Sequence, residues 1–485
     1  MKPEKLYESI GAIDEEILER SEKHKEKKRR RGPKWAAAAA VVLAGALAGG
    51  ILLQPGSSSQ VLASCAVEAA SYPEMADYPN EDDYINKTTG TFDEDKFLKD
   101  YNAWQESVDA QKQEEGYADG LESFFIASIR EFLSGKEGNR VYSPLNVYMA
   151  LSMLAELTDG DSRQQILDLL GIEDMETLRN QAKAIWNAQY RDDGATTSIL
   201  ASSLWLDQDV DYNSSVLDIL AENYYTSSYQ GEMGSSRFSQ AYQDWINEQT
   251  RGLLEEQSKE LKLKEEDILA LVATVCFQAK WSEEFNENNT SSQTFHGTSQ
   301  DITCDFMHSR NQGTYYWGQQ FSAVGRALDN GGGTMWFLLP DEGVSPEELL
   351  EDPQVTEFLV NRDTWENSKY LTVNLALPKF DITSQMDLKE GLKNLGISQV
   401  FDETAADFST LVPDMKKIFV SQVQHDIRVT IDEEGVTAAA YTAMSACAAA
   451  MPPEDEVDFV LDRPFLFVLT NEDGLPLFAG IVEQP

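Results

Sequence analysis

Residues 436–450 form a run of mainly small, uncharged side chains that suits a segment offered to a protease. The alternating residues 428–431 before it predict the end of a half-buried strand, and Gly435 marks a point where the backbone is free to turn. Small side chains can lie in an exposed loop, and they can also slide between two strands without overfilling the core below. The segment therefore predicts a switch between two states, and its chemistry is that of a substrate.

The side chains that catalyse hydrolysis are present, but not in the patterns that enzymes use. His296, His308 and His425 leave a Ser-His-Asp hydrolase open by composition. The chain has no Gly-x-Ser-x-Gly elbow, no His-Glu-x-x-His zinc motif, no Walker loop and no paired-glycine nucleotide fingerprint. We therefore predict that the protein is not an enzyme and has no catalytic residue, metal ion or cofactor.

The elements that must position the small-residue segment belong to a large mixed domain. A chain of 485 residues with 42% hydrophobic content can bury a sizeable core. Alternating apolar residues over 370–377 and 418–423 predict strands, whereas the amphipathic patterns of 121–133 and 148–157 predict helices. The fold class that follows is α+β.

Several motifs between residue 119 and the C-terminus occur in the order in which the serpin family has them. Residues 433–440 (Glu-Glu-Gly-Val-Thr-Ala-Ala-Ala) closely resemble the serpin hinge. The other motifs are residues 139–144 (Asn-Arg-Val-Tyr-Ser-Pro), 280–285 with Trp281, 336–341, 377–380 (Leu-Pro-Lys-Phe), 462–467 and 478–480. The resemblance implies the serpin fold, with three β-sheets, a mobile reactive-centre loop and about eight or nine helices.

The resemblance also implies a mechanism and its residues. A serpin traps a serine protease as a covalent acyl complex when its cleaved loop inserts into the central sheet. The family's usual spacing from the hinge puts the scissile bond between Ala449 and Ala450. Carried over residue by residue, Trp281 is the breach tryptophan, and the hinge residues are Glu433, Gly435, Val436, Thr437, Ala438, Ala439 and Ala440.

The loop sequence is compatible with insertion and indicates the kind of protease. Alternate residues of a strand share a face, and the face that begins with Val436 carries no charge as far as Met444. Small residues around the scissile bond imply a partner with a small S1 pocket, an elastase-like or subtilisin-like enzyme, and residues 432–462 contain no Lys or Arg for trypsin. The alternatives are a non-inhibitory serpin-like surface binding protein whose loop is a simple substrate, and a plain flexible linker.

The polar cluster beneath the central sheet, called the shutter in serpins, departs from the family pattern. His425 and Ser143 match family positions, but the usual asparagine in Leu-Val-Asn is Ala273 and a usual serine is Asn146. Either Asn146 supplies the missing amide to His425 or the cluster is rewired. The departure concerns the energetics of sheet opening rather than the fold.

Residues 35–53 are nineteen apolar residues without a charge, long enough to span a bilayer. Residues 1–34 before them contain eleven Lys and Arg against eight Asp and Glu. The positive-inside bias predicts a cytoplasmic tail over 1–34, a signal anchor over 35–53, and an extracytoplasmic stalk and serpin domain over 54–118 and 119–485. A cleaved signal peptide is the alternative, but the thirty-odd mostly polar residues before the apolar run would make an unusually long n-region, which favours the anchor.

Charge and composition complete the expectations. A net charge of −44 repels nucleic acids, so no nucleic-acid partner is predicted. Prolines and acidic residues in 54–118 favour an extended stalk, although its aromatic residues favour docking on the domain's own surface. Four cysteines without a CxxC predict no disulfide framework. The expected protein is a monomeric, single-pass protein of a bacterial cell membrane, with the serpin domain outside the cytoplasm.

Overall fold

The computed structural model describes residues 37–47, 59–135, 137–360, 362, 365–415, 418–436 and 455–485. Over these residues the chain has twelve α-helices, more than the eight or nine expected, because short helices and the N-terminal segment add to the count. The helices are α1 Ser59–Cys65, α2 Glu94–Asp109, α3 Glu122–Leu133, α4 Pro144–Leu157, α5 Gly160–Leu170, α6 Met175–Gln189, α7 Ser214–Tyr224, α8 Ser236–Gln249, α9 Glu255–Ser258, α10 Pro346–Glu351, α11 Pro353–Val360 and α12 Lys389–Asn394.

The strands are β1 Ala37–Leu47, β2 Ala66–Glu68, β3 Arg140–Tyr142, β4 Arg191–Asp192, β5 Thr197–Asp207, β6 Thr226–Gly231, β7 Asp267–Lys280, β8 Ser291–His296, β9 Asp301–Trp317, β10 Phe321–Ala327, β11 Thr334–Pro340, β12 Ser368–Pro378, β13 Phe380–Asp387, β14 Ile418–Ile431, β15 Gly435–Val436, β16 Glu456–Val460, β17 Phe465–Thr470 and β18 Pro476–Val482. They form two hydrogen-bonded sets.

The first set is the central sheet, with the strand order β13-β14-β1-β7-β5-β6-β2. Strand β7 lies in its interior and is apolar almost throughout, as expected for a strand covered on both faces. The β15 pair joins β7 beyond the end of β1, and β4 joins β5.

The second set has the order β16-β12-β9-β10-β11-β17-β18-β3, with β8 on β9. The 17-residue strand β9 takes part in two groups, since residues 301–306 pair with β8, residues 306–316 pair with β12 and residues 315–317 pair with β10. This strand joins the two smaller sheets of the expected three-sheet fold.

Helix α4 lies in the core between the sheets, and all fourteen of its residues are buried. Its start is specified locally, because Pro144 occupies the first turn and the Ser143 side chain accepts a hydrogen bond from the Asn146 N–H. The same cap brings Ser143 within hydrogen-bond distance of His425 in β14.

The structure differs from the sequence prediction in residues 37–47, which form strand β1 rather than a membrane-spanning helix. None of the helices in the described ranges is long and apolar enough to cross a bilayer. An apolar run satisfies its backbone groups equally well in a ladder, and β1 does so against β7 from Ala38 to Leu47. Residues 35–36 and 48–53 of the predicted anchor lie outside the described residues.

Residues 66–118 are packed on the domain rather than extended. Strand β2 adds an edge to β6, and the Tyr72 ring lies 5.1 Å from that of Trp186. The Trp104 indole N–H donates a 2.8 Å hydrogen bond to the Asp193 carboxylate, which is fully buried. Aromatic side chains thus outweigh the prolines and acidic residues that favoured a stalk.

Candidate functional site

The hinge of the predicted loop is already part of the central sheet. Gly435 pairs with Lys280 and Val436 with Ala279 in an antiparallel ladder that forms β15. The Val436 side chain has no solvent exposure. Gly435 and Val436 therefore already lie beside β7, and the chain runs in the direction that an inserting loop would follow.

Gly435 is required by the closeness of β7. A Cβ at this position would lie 2.5 Å from the Ala279 carbonyl oxygen and 2.6 Å from the Lys280 Cα, and the backbone has φ +158°. Both contacts are with backbone atoms, which cannot move aside as a flexible side chain could. Gly435 thus allows two strands to approach each other closely, whereas the sequence analysis had interpreted it as a point where the backbone is free to turn.

Trp281 follows directly after β7 and holds the chain that enters the hinge. Its indole N–H donates a 3.0 Å hydrogen bond to the Asp432 carbonyl, and its backbone N–H donates one of 3.1 Å to the Glu434 carbonyl. The Phe285 N–H donates a third, of 3.0 Å, to the carbonyl of Glu433. The predicted breach tryptophan and the hinge are therefore one hydrogen-bonded unit.

The carboxylate of Glu433 fixes this unit to two other elements. It accepts hydrogen bonds from Lys379 Nζ at 2.6 Å and from the Thr290 hydroxyl at 2.7 Å. Burial raises the pKa of Glu433, but the hydrogen bonds from Lys379 and Thr290 outweigh it and hold the pKa below its usual value. The sequence analysis included Lys379 in the motif of residues 377–380 but gave it no role. It missed Thr290, for which the sequence gives no signal.

Arg326 is a further residue that the sequence did not reveal. Its guanidinium carbon lies 4.7 Å from the centre of the Phe285 ring and 5.9 Å from that of Trp281. Burial lowers the pKa of this guanidinium, although the Glu283 carboxylate opposes the shift. Packing of a cation over both rings stabilises the aromatic pair that supports the hinge.

The shutter residues lie together beneath β14. His425 is fully buried, and its Nε2 accepts a 3.1 Å hydrogen bond from the Ser143 N–H. The Ser143 hydroxyl donates a 2.6 Å hydrogen bond to the Leu477 carbonyl, and its oxygen accepts one of 3.4 Å from the Asn146 N–H. These contacts connect β14, the start of α4 and β18.

Asn146 extends the same cluster to β7. Its side-chain amide donates a 3.3 Å hydrogen bond to the carbonyl of Ala273. Ala273 is the position where the family pattern would have an asparagine, so the amide that the strand lacks reaches it from the helix instead. Asn146 contacts the backbone carbonyl of β7 rather than a side chain, so the identities of the side chains alone could not predict this hydrogen bond.

The three histidines that left a hydrolase open have different partners. His296 Nδ1 lies 3.0 Å from the Asp301 carboxylate, His308 Nε2 lies 2.7 Å from the Gln293 amide, and His425 lies in the shutter. Thr437, Ala438, Ala439 and Ala440 of the hinge, and Ala449 and Ala450 of the predicted scissile bond, lie outside the described residues.

Comparison with known proteins identifies the same family as the motifs of the sequence. The family model described as Serpin (serine protease inhibitor) matches residues 120–485. Plasminogen activator inhibitor 1 of Sus scrofa is 28% identical over 373 residues, covering 73% of this chain and 88% of that protein. The alpha-1-antitrypsin-like protein GS55-MS of Ictidomys tridecemlineatus is 30% identical, covering 72% and 83%.

A solved structure supports the fold. The thermophilic serpin Tengpin in its native state aligns with a TM-score of 0.68 at 24% identity, covering 77% of this chain and 95% of that one. The family model, the ordered motifs and the hinge bound to β7 agree. The chain belongs to the serpin family.

Proposed function

We propose that the protein is a suicide-substrate inhibitor of serine proteases with a small S1 pocket, elastase-like or subtilisin-like. The observation that carries the proposal is the hinge, where Val436 already pairs with Ala279 and the residues that follow are uncharged on the inserting face. A hinge that begins inside the sheet already has the register in which the rest of the loop would add to β7.

The reaction begins as ordinary proteolysis. The protease serine attacks the Ala449 carbonyl, the new amine of Ala450 leaves with a proton, and an ester joins the protease to the loop. The loop then adds to the central sheet residue by residue along β7, beginning from the pair already formed between Val436 and Ala279. Transport of the attached protease distorts its active site before water can hydrolyse the ester.

The test is to incubate the purified full chain with an elastase-like protease and resolve the products on a denaturing gel. A band near the sum of the two masses supports inhibition, and mass spectrometry of the released C-terminal peptide locates the cut. A protease whose catalytic serine has been replaced is the matched control, since it can bind but cannot form the ester. Cleavage near Ala449 with a protease that stays active would instead support the non-inhibitory alternative.

Location outside the cytoplasm, at a bacterial cell surface, is a separate proposal. Its support is the cationic stretch within residues 1–34 followed by an uncharged run from 35 to 67. Membrane anchoring by residues 35–53 would require β1 to leave the sheet, because one segment cannot both pair with β7 and span a bilayer. Retention of the full chain in membranes washed at alkaline pH would support the anchor, and full release into the wash would refute it.

A further inference from the structure

Strand β1 occupies the interior position of the central sheet between β14 and β7. It pairs with β7 in parallel, from Ala38 opposite Asp267 to Leu47 opposite Phe277. The N-terminal segment thus uses the edge of β7 that faces β14.

The hinge points at the same edge. Gly435 lies opposite Lys280 and Val436 opposite Ala279, so each step forward in the loop is one step back along β7. Continued in this register, residues 438–448 would lie opposite Phe277 back to Asp267. Those are the β7 residues that β1 now covers, and Gln278 alone separates the two ladders.

We infer that residues 37–47 are a built-in competitor for the sheet position that the cleaved reactive loop must enter. The inference rests on the proposed function, since competition has a consequence only if the loop inserts. While β1 is paired, insertion cannot pass position 437, opposite Gln278, and the acyl ester is exposed to hydrolysis. Inhibition therefore requires that β1 leave, and the N-terminal segment sets how much inhibitor is consumed as mere substrate.

The structure also indicates that β1 can be displaced. Six alanines and one glycine among its eleven residues are poor strand formers. Its ladder is parallel, whereas the loop would extend an antiparallel ladder, which is slightly more stable per residue. The exchange thus favours the loop.

A tether keeps the displaced strand nearby. Eleven residues, 48–58, separate β1 from helix α1, and Leu62 of α1 is buried in the cluster that includes Trp205 and Trp245. A short tether gives the free segment a high effective concentration beside its former site. Competition is therefore intramolecular and independent of protein concentration.

The first test weakens β1 within the full chain. Leu43→Pro removes a ladder hydrogen bond from the strand interior, which lowers the occupancy of the β1 position about fivefold. We expect the number of inhibitor molecules consumed per protease inactivated to fall by up to the same factor. The matched control is Leu43→Val, which keeps the ladder, so consumption should not fall. Equal consumption by the proline variant and the natural chain would overturn the inference.

The second test locks β1 in place and does not depend on weakening it. Ala46 lies opposite Cys276, and neighbouring strands are about 4.8 Å apart, within the roughly 4.4–6.8 Å that a disulfide spans. Ala46→Cys should form a disulfide with Cys276 on oxidation, turn the chain into a plain substrate, and regain inhibition on reduction. Ala44→Cys, opposite Thr274, is the control that should not cross-link to Cys276. Since burial raises the pKa of Cys276 to about 12, the oxidation needs alkaline buffer and long incubation.

The outcomes separate the two proposals. Absence of a covalent complex from every variant refutes the proposed function and removes the competition with it. A yield of covalent complex that is the same with the disulfide formed as after its reduction refutes the competition alone.

Discussion

Asp426 should be a source of instability in the native sheet, and its replacement by asparagine should stabilise the protein. This residue lies in β14 beside His425 and is 1% exposed. One carboxylate oxygen accepts a 2.7 Å hydrogen bond from the Gln424 amide, whereas the other has no hydrogen bond of normal geometry within the described residues. Burial raises the pKa of Asp426, more than the side chains of Gln424 and Gln385 lower it.

The expected gain follows from the buried charge, which a neutral amide at the same position does not carry. A buried polar group without a partner costs roughly 1–3 kcal/mol, with charged groups at the upper end or above. Asp426→Asn keeps the Gln424 hydrogen bond and removes the charge, so the free energy of unfolding should rise by about 2 kcal/mol. With an unfolding entropy of about 2.1 cal/mol/K per residue and roughly 400 folded residues, the Tm should rise by about 2 °C.

The gain should depend on pH. Because the folded pKa of Asp426 is raised, the wild-type chain is penalised only above that pKa, so the gain is full at pH 8 and shrinks as the pH falls through it toward 3.8. Scanning calorimetry of both chains at several pH values measures this. A Tm that is unchanged or lower at pH 8, or a gain independent of pH, would refute the reasoning.

Asp381→Asn is the matched control on the neighbouring strand β13. Hydrogen bonds from Arg428 hold the pKa of Asp381 below its usual value, with contacts of 2.8 and 2.6 Å. Its contribution is therefore present above pH 3.8 and lost below it, opposite in sign to that of Asp426. Since both side chains are partly exposed, the variant should lose no more than about 1 kcal/mol at pH 8.

Three further outcomes are expected. Val436→Arg should replace covalent complex by cleaved inhibitor on a denaturing gel, because a buried position would receive an unpaired charge. Thr437→Arg should still give complex, because strand alternation would turn that side chain to the solvent face of an inserted loop. Ala449→Arg should produce trypsin inhibition; continued inhibition of elastase without any of trypsin would mean that the scissile bond lies elsewhere. Glu433→Gln should lower the free energy of unfolding by about 1–2 kcal/mol at pH 7, measured by denaturant titration, and lose this effect as the pH falls below 4.5, since the pKa of Glu433 is lowered in the fold. Equal stability of that variant at pH 7 would show that Lys379 does not anchor the hinge.

The sequence predicted those features whose residues lie close together in a motif. Gly435 pairs with β7, Trp281 donates a hydrogen bond to the chain before it, and His425 is buried in β14, while their roles in loop insertion stay predictions. The ion pair of Glu433 and Lys379 joins residues 54 positions apart, and no local pattern encodes such a contact.

The prediction for residues 37–47 differed for another physical reason. An apolar run without polar residues has no periodicity, so it cannot distinguish a helix from a strand, and alanine favours the helix. Pairing with the edge of β7 determines that these residues form a strand, and that edge exists only in the folded sheet.

The segment before residue 120 changes what counts as the folding unit of this protein. The family model begins at residue 120, yet the Tyr72 ring lies against Trp186 and Tyr190, and β2 covers the edge of β6. A protein truncated at the family boundary would present an unpaired strand edge and bare aromatic rings to solvent, a surface that invites association between chains. Expression of a well-behaved recombinant domain therefore requires a start upstream of β2, and solubility would report the true boundary before any inhibition assay is run.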